Sequence, residues 1–193
     1  MRDGAAIPTV AYSAMAIAHE HAMVTCDDAM AFIACGNSDA GRSEGRAMYK
    51  RILVPLDGSH LAAGVLPHVQ ELAKSIGAEV VLLRVAFAHI FPGADPIETQ
   101  VTAVQEAETY VAERAKGLQD SGVRAEGKVR YGDPAEEILD HVTWDHIDLI
   151  AMATHGRTGL KRVVLGSVAE HVLRRATVPM LLVRVHPPEE PQG

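Results

Sequence analysis

Cysteine is almost missing from this chain. Of 193 residues only Cys26 and Cys35 are cysteines, and both fall within the first 47. The remainder has nothing to cross-link, which excludes a disulfide-held fold there and fits a reduced, cytoplasmic setting. No run of about 18 apolar residues occurs, so nothing reads as a membrane-spanning helix. A secretory leader is disfavoured as well, because Asp3 follows Arg2 at once and Pro8 breaks the apolar stretch. Basic excess is lacking too: 18 Lys and Arg stand against 25 Asp and Glu, for a formal net charge of -7 and a pI near 5.8. That balance argues against general nucleic-acid binding, which needs a basic face. Two common phosphate motifs are also missing. There is no G-x-x-x-x-G-K-[ST], and no G-x-G-x-x-G follows the first strand of the ordered pattern, so neither a P-loop nor a dinucleotide fingerprint is available. What remains, with 48% hydrophobic residues, is enough for one domain with a substantial core.

The most informative stretch runs from Ile147 to Ser167. An apolar run, Ile147 to Ala153, reads as a buried strand, and it empties into a segment with Gly156, Gly159 and Gly166 before a helical pattern begins at Ser167. Glycines let backbone approach a phosphate closely, and the free N–H groups of a following helix supply donors and the positive end of a dipole. From 154 to 185 there are six Lys or Arg and one acid, Glu170. Such a local reversal of charge in an acidic chain points to an anionic ligand, most simply a nucleotide.

Residues 1–47 differ in character from the rest of the chain. Twelve are alanine, turn formers cluster from Gly36 to Gly45, and no sustained period is visible, so they read as a poorly ordered extension. They are either a genuine tail or the product of a start assigned upstream of Met48. His19, His21, Cys26 and Cys35 match no zinc-finger spacing and read as incidental.

From 48 to 185 the pattern is βαβαβαβαβ. Ile52 to Leu56 is a strand, and apolar positions 62, 65, 66, 69, 72, 73 and 76 trace one continuous helical face that ends at Gly77. Glu79 to Val85 is the second strand, Phe87 to Pro96 a loop, and Ile97 to Leu118 a long helix closed near Gly122. Val123 to Tyr131 alternates as a third strand. Asp133-Pro134-Ala135-Glu136 has the spacing of a capped helix start with a capping box, and Ser167-Val168-Ala169-Glu170 repeats it after the fourth strand. Val178 to Val185 is the fifth strand. Crossovers of helical length imply parallel strands with helices on both faces, a single α/β domain over 48–193, and a ligand at the carboxyl ends of the strands.

Two stretches carry a family resemblance: Met48-Tyr-Lys-Arg-Ile-Leu-Val-Pro-Leu-Asp57-Gly-Ser, and the loop Gly156, nine residues, Gly166-Ser167. Together they resemble the universal stress protein family, whose loop pattern is G-x2-G-x9-G-[ST]. Ala153 stands where the family has its first glycine, and alanine carries a cost wherever φ is positive. The resemblance implies an open five-stranded parallel sheet of order 3-2-1-4-5, of the adenine nucleotide α-hydrolase-like kind. It also implies that ATP or another adenine nucleotide, with Mg²⁺, is held by Pro55, Asp57, Val85, Met152, Ala153, Thr154, His155, Gly156, Arg157, Thr158, Gly159, Gly166, Ser167, Val168 and Ala169. In that reading Asp57 bears on ribose, phosphate or the metal, and Val85 lies against adenine. The bland alternative makes Asp57 a turn residue and Val85 an ordinary strand valine. Arg157 and Lys161 are either phosphate clamps or a solvated basic loop. His155 has no adjacent carboxylate to orient it, so incidental polarity is preferred to catalysis.

No dedicated nucleophile or oriented general base stands out, and the expected function is a regulatory stress-response module that binds ATP, with at most slow hydrolysis. The alternatives are a nucleotide hydrolase or an adenylyl or phosphoryl transferase on the same fold, or a member that binds no nucleotide. The resemblance further implies a homodimer through the apolar strand 178–185, which lies at a sheet edge in the order 3-2-1-4-5. No membrane or nucleic-acid partner is expected.

Overall fold

The computed structural model describes residues 21–26, 29–34, 49–86, 95–154 and 165–185. Its strands are β1 (His21–Cys26), β2 (Ala29–Ala34), β3 (Arg51–Pro55), β4 (Glu79–Ala86), β5 (Arg124–Tyr131), β6 (Leu149–Ala153) and β7 (Met180–Val183). Its helices are α1 (His60–Ala63), α2 (Leu66–Ile76), α3 (Pro96–Asp120), α4 (Pro134–Trp144) and α5 (Ser167–Arg175). The strands form one sheet of order β1-β2-β7-β6-β3-β4-β5. Within it β5-β4-β3-β6-β7 are mutually parallel, which is the expected order 3-2-1-4-5.

The central strands are short runs of aliphatic residues because helices cover both faces. Ile52, Val54, Val80 and Leu82 lie in one core with Val69 and Ala73 of α2 and Ala115 and Leu118 of α3. Leu53, Val81, Leu83, Ile150 and Met152 lie in the other, with Ile138 and Val142 of α4 and Ala169 and Val172 of α5. Full burial of each such side chain stabilises the fold by about 1.5–3 kcal/mol. The helix expected over 62–76 is broken in two. Gly64 closes α1, and Pro67 sits in the first turn of α2, where its missing N–H does no harm but a continuous helix would lose a bond. Gly77, at φ 70°, ends α2 as the spacing suggests.

Within the leader, the described residues differ from the sequence reading. Residues 21–26 and 29–34 are strands, not irregular chain, and β2 runs antiparallel along β7 with Ala31, Phe32, Ile33 and Ala34 opposite Val183, Leu182, Leu181 and Met180. The strand expected to be a free edge therefore has a neighbour on its outer side, and in this structure a second copy has no open β7 edge to pair with. Of the leader's zinc-type residues, His19 and Cys35 lie outside the described residues.

The amino end of the sheet is closed by charge. Arg51 opens β3, and its guanidinium reaches Glu126 at 2.7 Å, Glu79 at 3.4 Å and the Asp145 carbonyl at 2.6 Å. Lys128 bonds Asp145 at 2.5 Å. His141, wholly buried on α4, accepts from Arg130 Nε at Nδ1 (3.4 Å) and has Nε2 2.9 Å from Asp145 Oδ2. That arrangement suits a neutral ring with its proton on Nε2. Burial lowers the His141 pKa, against the opposing pull of Asp145. Burial alone would raise Asp145, but the Lys128 hydrogen bond and the neighbouring positive charges outweigh it and hold that carboxyl low.

This buried pair makes stability depend on pH. The unfolded chain takes up a proton on His141 that the native chain refuses, so stability falls as pH drops below about 6.5, by up to about 1.4 kcal/mol per unit within the window. The Asp145 contribution is lost only further down, as pH falls below the usual aspartate range. Urea melts at pH 7.5 and 5.5 should show the slope, and His141→Gln should flatten it. Equal slopes in the two proteins would dismiss His141 as the cause.

Candidate functional site

The opposite end of the sheet is open. β3 and β6 are neighbours whose continuations diverge to opposite sides, and a cavity of about 250 Å³ lies at their carboxyl ends, where the strand order reverses. Leu83 and Val85 of β4, Met152 of β6 and Pro134 and Ile138 of α4 give it apolar walls. Asp57, Thr154 and Ser167 add polar groups, and Gly166 to Ala169 bring in the first turn of α5. An apolar slot beside a helix N-terminus can take a flat, uncharged ring system at one end and an anion at the other.

Each wall has a local cause. Asp57 follows β3 in a turn where its Oδ1 accepts from the Ser59 N–H at 2.8 Å, while Ser59 Oγ caps α1 by accepting from Ala62 N at 3.0 Å. Gly58 turns the chain there at φ 86°, and its α-carbon lies against the Arg84 guanidinium, which also sits 5.3 Å over the Tyr110 ring. Pro134 and Ile138 are placed by the start of α4, whose cap Asp133 accepts from the Ala135 and Glu136 N–H groups. Glu136 is not bonded back to its own cap; it pairs with Arg175 and His171 of α5, tying together the two helices that flank the cavity.

The α5 terminus also differs from the sequence reading. Gly166, not Ser167, is the cap residue, and among the described residues no side chain caps the helix. Glu170 spends its carboxylate on Arg174 at 2.8 Å, so the Ser-x-x-Glu spacing forms no capping box. The Ser167 hydroxyl therefore borders the cavity without a capping duty, and the N–H groups of residues 167–169 have no acceptor inside the helix. The Gly166 N–H donates to the Thr154 carbonyl at 2.9 Å, and Thr154 N–H to that of Val183 at 2.9 Å. The chain thus leaves β6 and returns to α5 at one point. Ala153 is plain strand backbone paired with Val183 and is not among the residues of positive φ, so alanine there is unstrained.

Of the residues expected to touch nucleotide, Pro55, Asp57, Val85, Met152, Ala153, Thr154, Gly166, Ser167, Val168 and Ala169 all line this one cavity. His155, Gly156, Arg157, Thr158 and Gly159, with Lys161 and Arg162, lie outside the described residues. Leu56, Ala62, Leu83, Pro134 and Ile138 also line it and were not anticipated. No motif marks them. The signal available was that the helix after the third strand covers the same sheet face as the glycine-loop helix.

Among the described residues no group of three or more His, Cys, Asp or Glu is placed to hold a metal ion, and no helix is long and apolar enough to cross a membrane.

The model of the universal stress protein family matches residues 48–184. Universal stress protein MJ0531 of Methanocaldococcus jannaschii is 34% identical over 145 residues, covering 72% of this chain and 85% of its own length. Universal stress protein MJ0577 of the same organism is 30% identical over 155 residues, covering 71% and 96%. The solved structure of MJ0577 superposes with a TM-score of 0.61 over 72% of this chain and 98% of that one. Universal stress protein UspA from Lactobacillus plantarum gives a TM-score of 0.63 at 26% identity, over 72% and 100%.

Proposed function

Since the chain belongs to the universal stress protein family, we propose that it is an adenine-nucleotide-binding module that takes ATP in the cavity at the ends of β3 and β6 and acts through the bound state. One observation carries this reading: an apolar slot of Leu83, Val85, Pro134, Ile138 and Met152 opens onto the N-terminus of α5, which no side chain among the described residues caps. The base would lie in the slot. The phosphates would meet the N–H groups of 167–169, the Ser167 hydroxyl and the glycine segment 156–159 with its basic residues.

Mg²⁺ fits as an ion carried by the phosphates. Among the described residues Asp57 is the one carboxylate lining the cavity, and Mg²⁺ held chiefly by phosphate and water needs no more than one or two. Turnover is not favoured, because among the described residues Asp57 is the only titratable side chain on the cavity walls and no histidine lines them. A regulatory role in stress response and a cytoplasmic location belong to the same proposal, the latter resting on cysteine usage.

Isothermal titration of the full chain with ATP and Mg²⁺ should show one site per chain. No heat at millimolar ATP would favour a member that binds no nucleotide, and single-turnover hydrolysis at ordinary enzymatic rates would favour the transferase or hydrolase reading. Ala153→Gly should leave affinity within about twofold, since residue 153 is unstrained strand backbone and gains nothing from glycine. A tenfold gain would mean that the backbone at 153 rearranges on binding.

A further inference from the structure

Among the described residues His141 is the one fully buried imidazole, and it adjoins the cavity without lining it. It follows Ile138 by three positions on α4, so it shares the helix face that gives Pro134 and Ile138 to the cavity wall. Its partner Arg130, on β5, is the cross-strand neighbour of Val85, another wall residue. The contact between them therefore joins two walls of one cavity. Its hydrogen bonds suit a single protonation state. Nδ1 accepts from Arg130 Nε at 3.4 Å and Nε2 lies 2.9 Å from Asp145 Oδ2, so a proton added at Nδ1 would set two donors and two positive charges face to face. Asp145 offsets this only in part, because Lys128 of β5 already shares Oδ2 at 2.5 Å.

The other charges nearby are engaged elsewhere. Arg51 of β3 reaches Glu79 and Glu126, and the basic residues of α5 that face α4, His171 and Arg175, take Glu136. β4 and β6 bring Val81, Leu83, Ile150 and Met152 to the core under α4. We propose that the contact of His141 with Arg130 is a proton-sensitive brace of the nucleotide cavity: the neutral ring holds α4 and β5 together around the base end of the slot, and protonation expels Arg130 and weakens nucleotide binding. This rests on the nucleotide reading above. By linkage, bound nucleotide holds the ring neutral to the same degree. Burial first, against the pull of Asp145, and then the charges of Arg130 and Lys128 keep the His141 pKa below its ordinary 6.5. Affinity is thus complete above that range and falls as pH drops through the folded pKa. The chain carries its own reporter, since Trp144 is its one tryptophan, lies exposed, and has the Arg130 guanidinium 5.0 Å over its ring.

The test uses the full chain. Without nucleotide, Trp144 fluorescence should change as pH falls from 7.5 to 5.0 at constant circular dichroism, with a midpoint below about 6.5. His141→Gln should abolish that change, because the amide keeps a donor and an acceptor but gains no proton. In isothermal titration with ATP and Mg²⁺ at the two ends of the range, the unmodified protein should lose roughly three- to thirtyfold more affinity than His141→Gln. Protonation of the nucleotide itself is common to both proteins and cancels. Arg130→Gln removes the opposed charge and should also lose less affinity than the unmodified protein, which keeps the test open if His141→Gln does not fold. The brace is overturned by a fluorescence change that is absent or survives in His141→Gln, by equal losses of affinity in the two proteins, or by a full pH effect in Arg130→Gln. Absence of binding in every protein at pH 7.5 would overturn the nucleotide reading and the coupling with it, while the fluorescence change still judges the proton at His141.

Discussion

Gly166→Val is expected to weaken ATP binding by about two orders of magnitude while leaving the fold almost untouched. Two orders correspond to roughly 2.8 kcal/mol, the scale of one or two lost hydrogen bonds to a charged group. The two effects separate because of where Gly166 sits. Its φ is -60°, open to any residue, and among the described residues an added β-carbon would meet only the Thr154 carbonyl oxygen at 3.5 Å, an ordinary contact. The fold does not need glycine here, so the branched side chain acts mainly by filling space in front of the α5 N–H groups. Thermal melts of the two proteins should agree closely while titrations differ. A large fall in melting temperature would show that Gly166 is a folding residue, and unchanged affinity would remove the α5 terminus from the site.

Gly58→Val should act the other way, costing stability first and binding through it. At φ 86° a branched residue is strained, and the new β-carbon would fall 2.2 Å from Arg84 Nη1. Strain and displacement together should cost about 2–3 kcal/mol, or roughly 5–10 °C in melting temperature. Affinity should fall too, because the turn that moves is the one that holds Asp57 by the Ser59 N–H. Arg84→Ala in the Gly58→Val background should recover the part due to the clash and none of the part due to φ. Full recovery would mean the backbone tolerates valine, and no recovery would mean that the guanidinium moves aside without cost.

The parallel strands were legible because each is a short aliphatic run bounded by glycine, proline or charge, and doubly covered strands have that pattern. The hairpin was not. Ala22 to Val24 and Ala29 to Ala34 are apolar without alternation, so they carry no period, and Ala31 finds its partner Val183 152 positions away. Two apolar runs of similar length around Asp27-Asp28 were the available signal, a weak one beside the alanine-rich background. The five parallel strands put β7 at the edge of their own order, and among the described residues β2 pairs along that edge.

At the candidate cavity, the glycine spacing picked out Gly166 and its neighbours, which line it. It misassigned the cap, because Ser167 and Gly166 both fit one residue's shift at a helix start and Arg174 competes for Glu170. Pro134 and Ile138 were invisible for another reason. They come from an element that only the folded sheet brings over Met152 and Val85, and their own spacing is that of any amphipathic helix.

Photolabelling of the full chain with 8-azido-ATP and Mg²⁺, followed by peptide mapping, tests the placement of the base most directly. The label should fall on peptides containing Val85, Pro134 to Ile138 or Met152, and excess ATP should suppress it. A label that ATP displaces but that maps away from the ends of β3, β4 and β6 would contradict the assignment of this cavity.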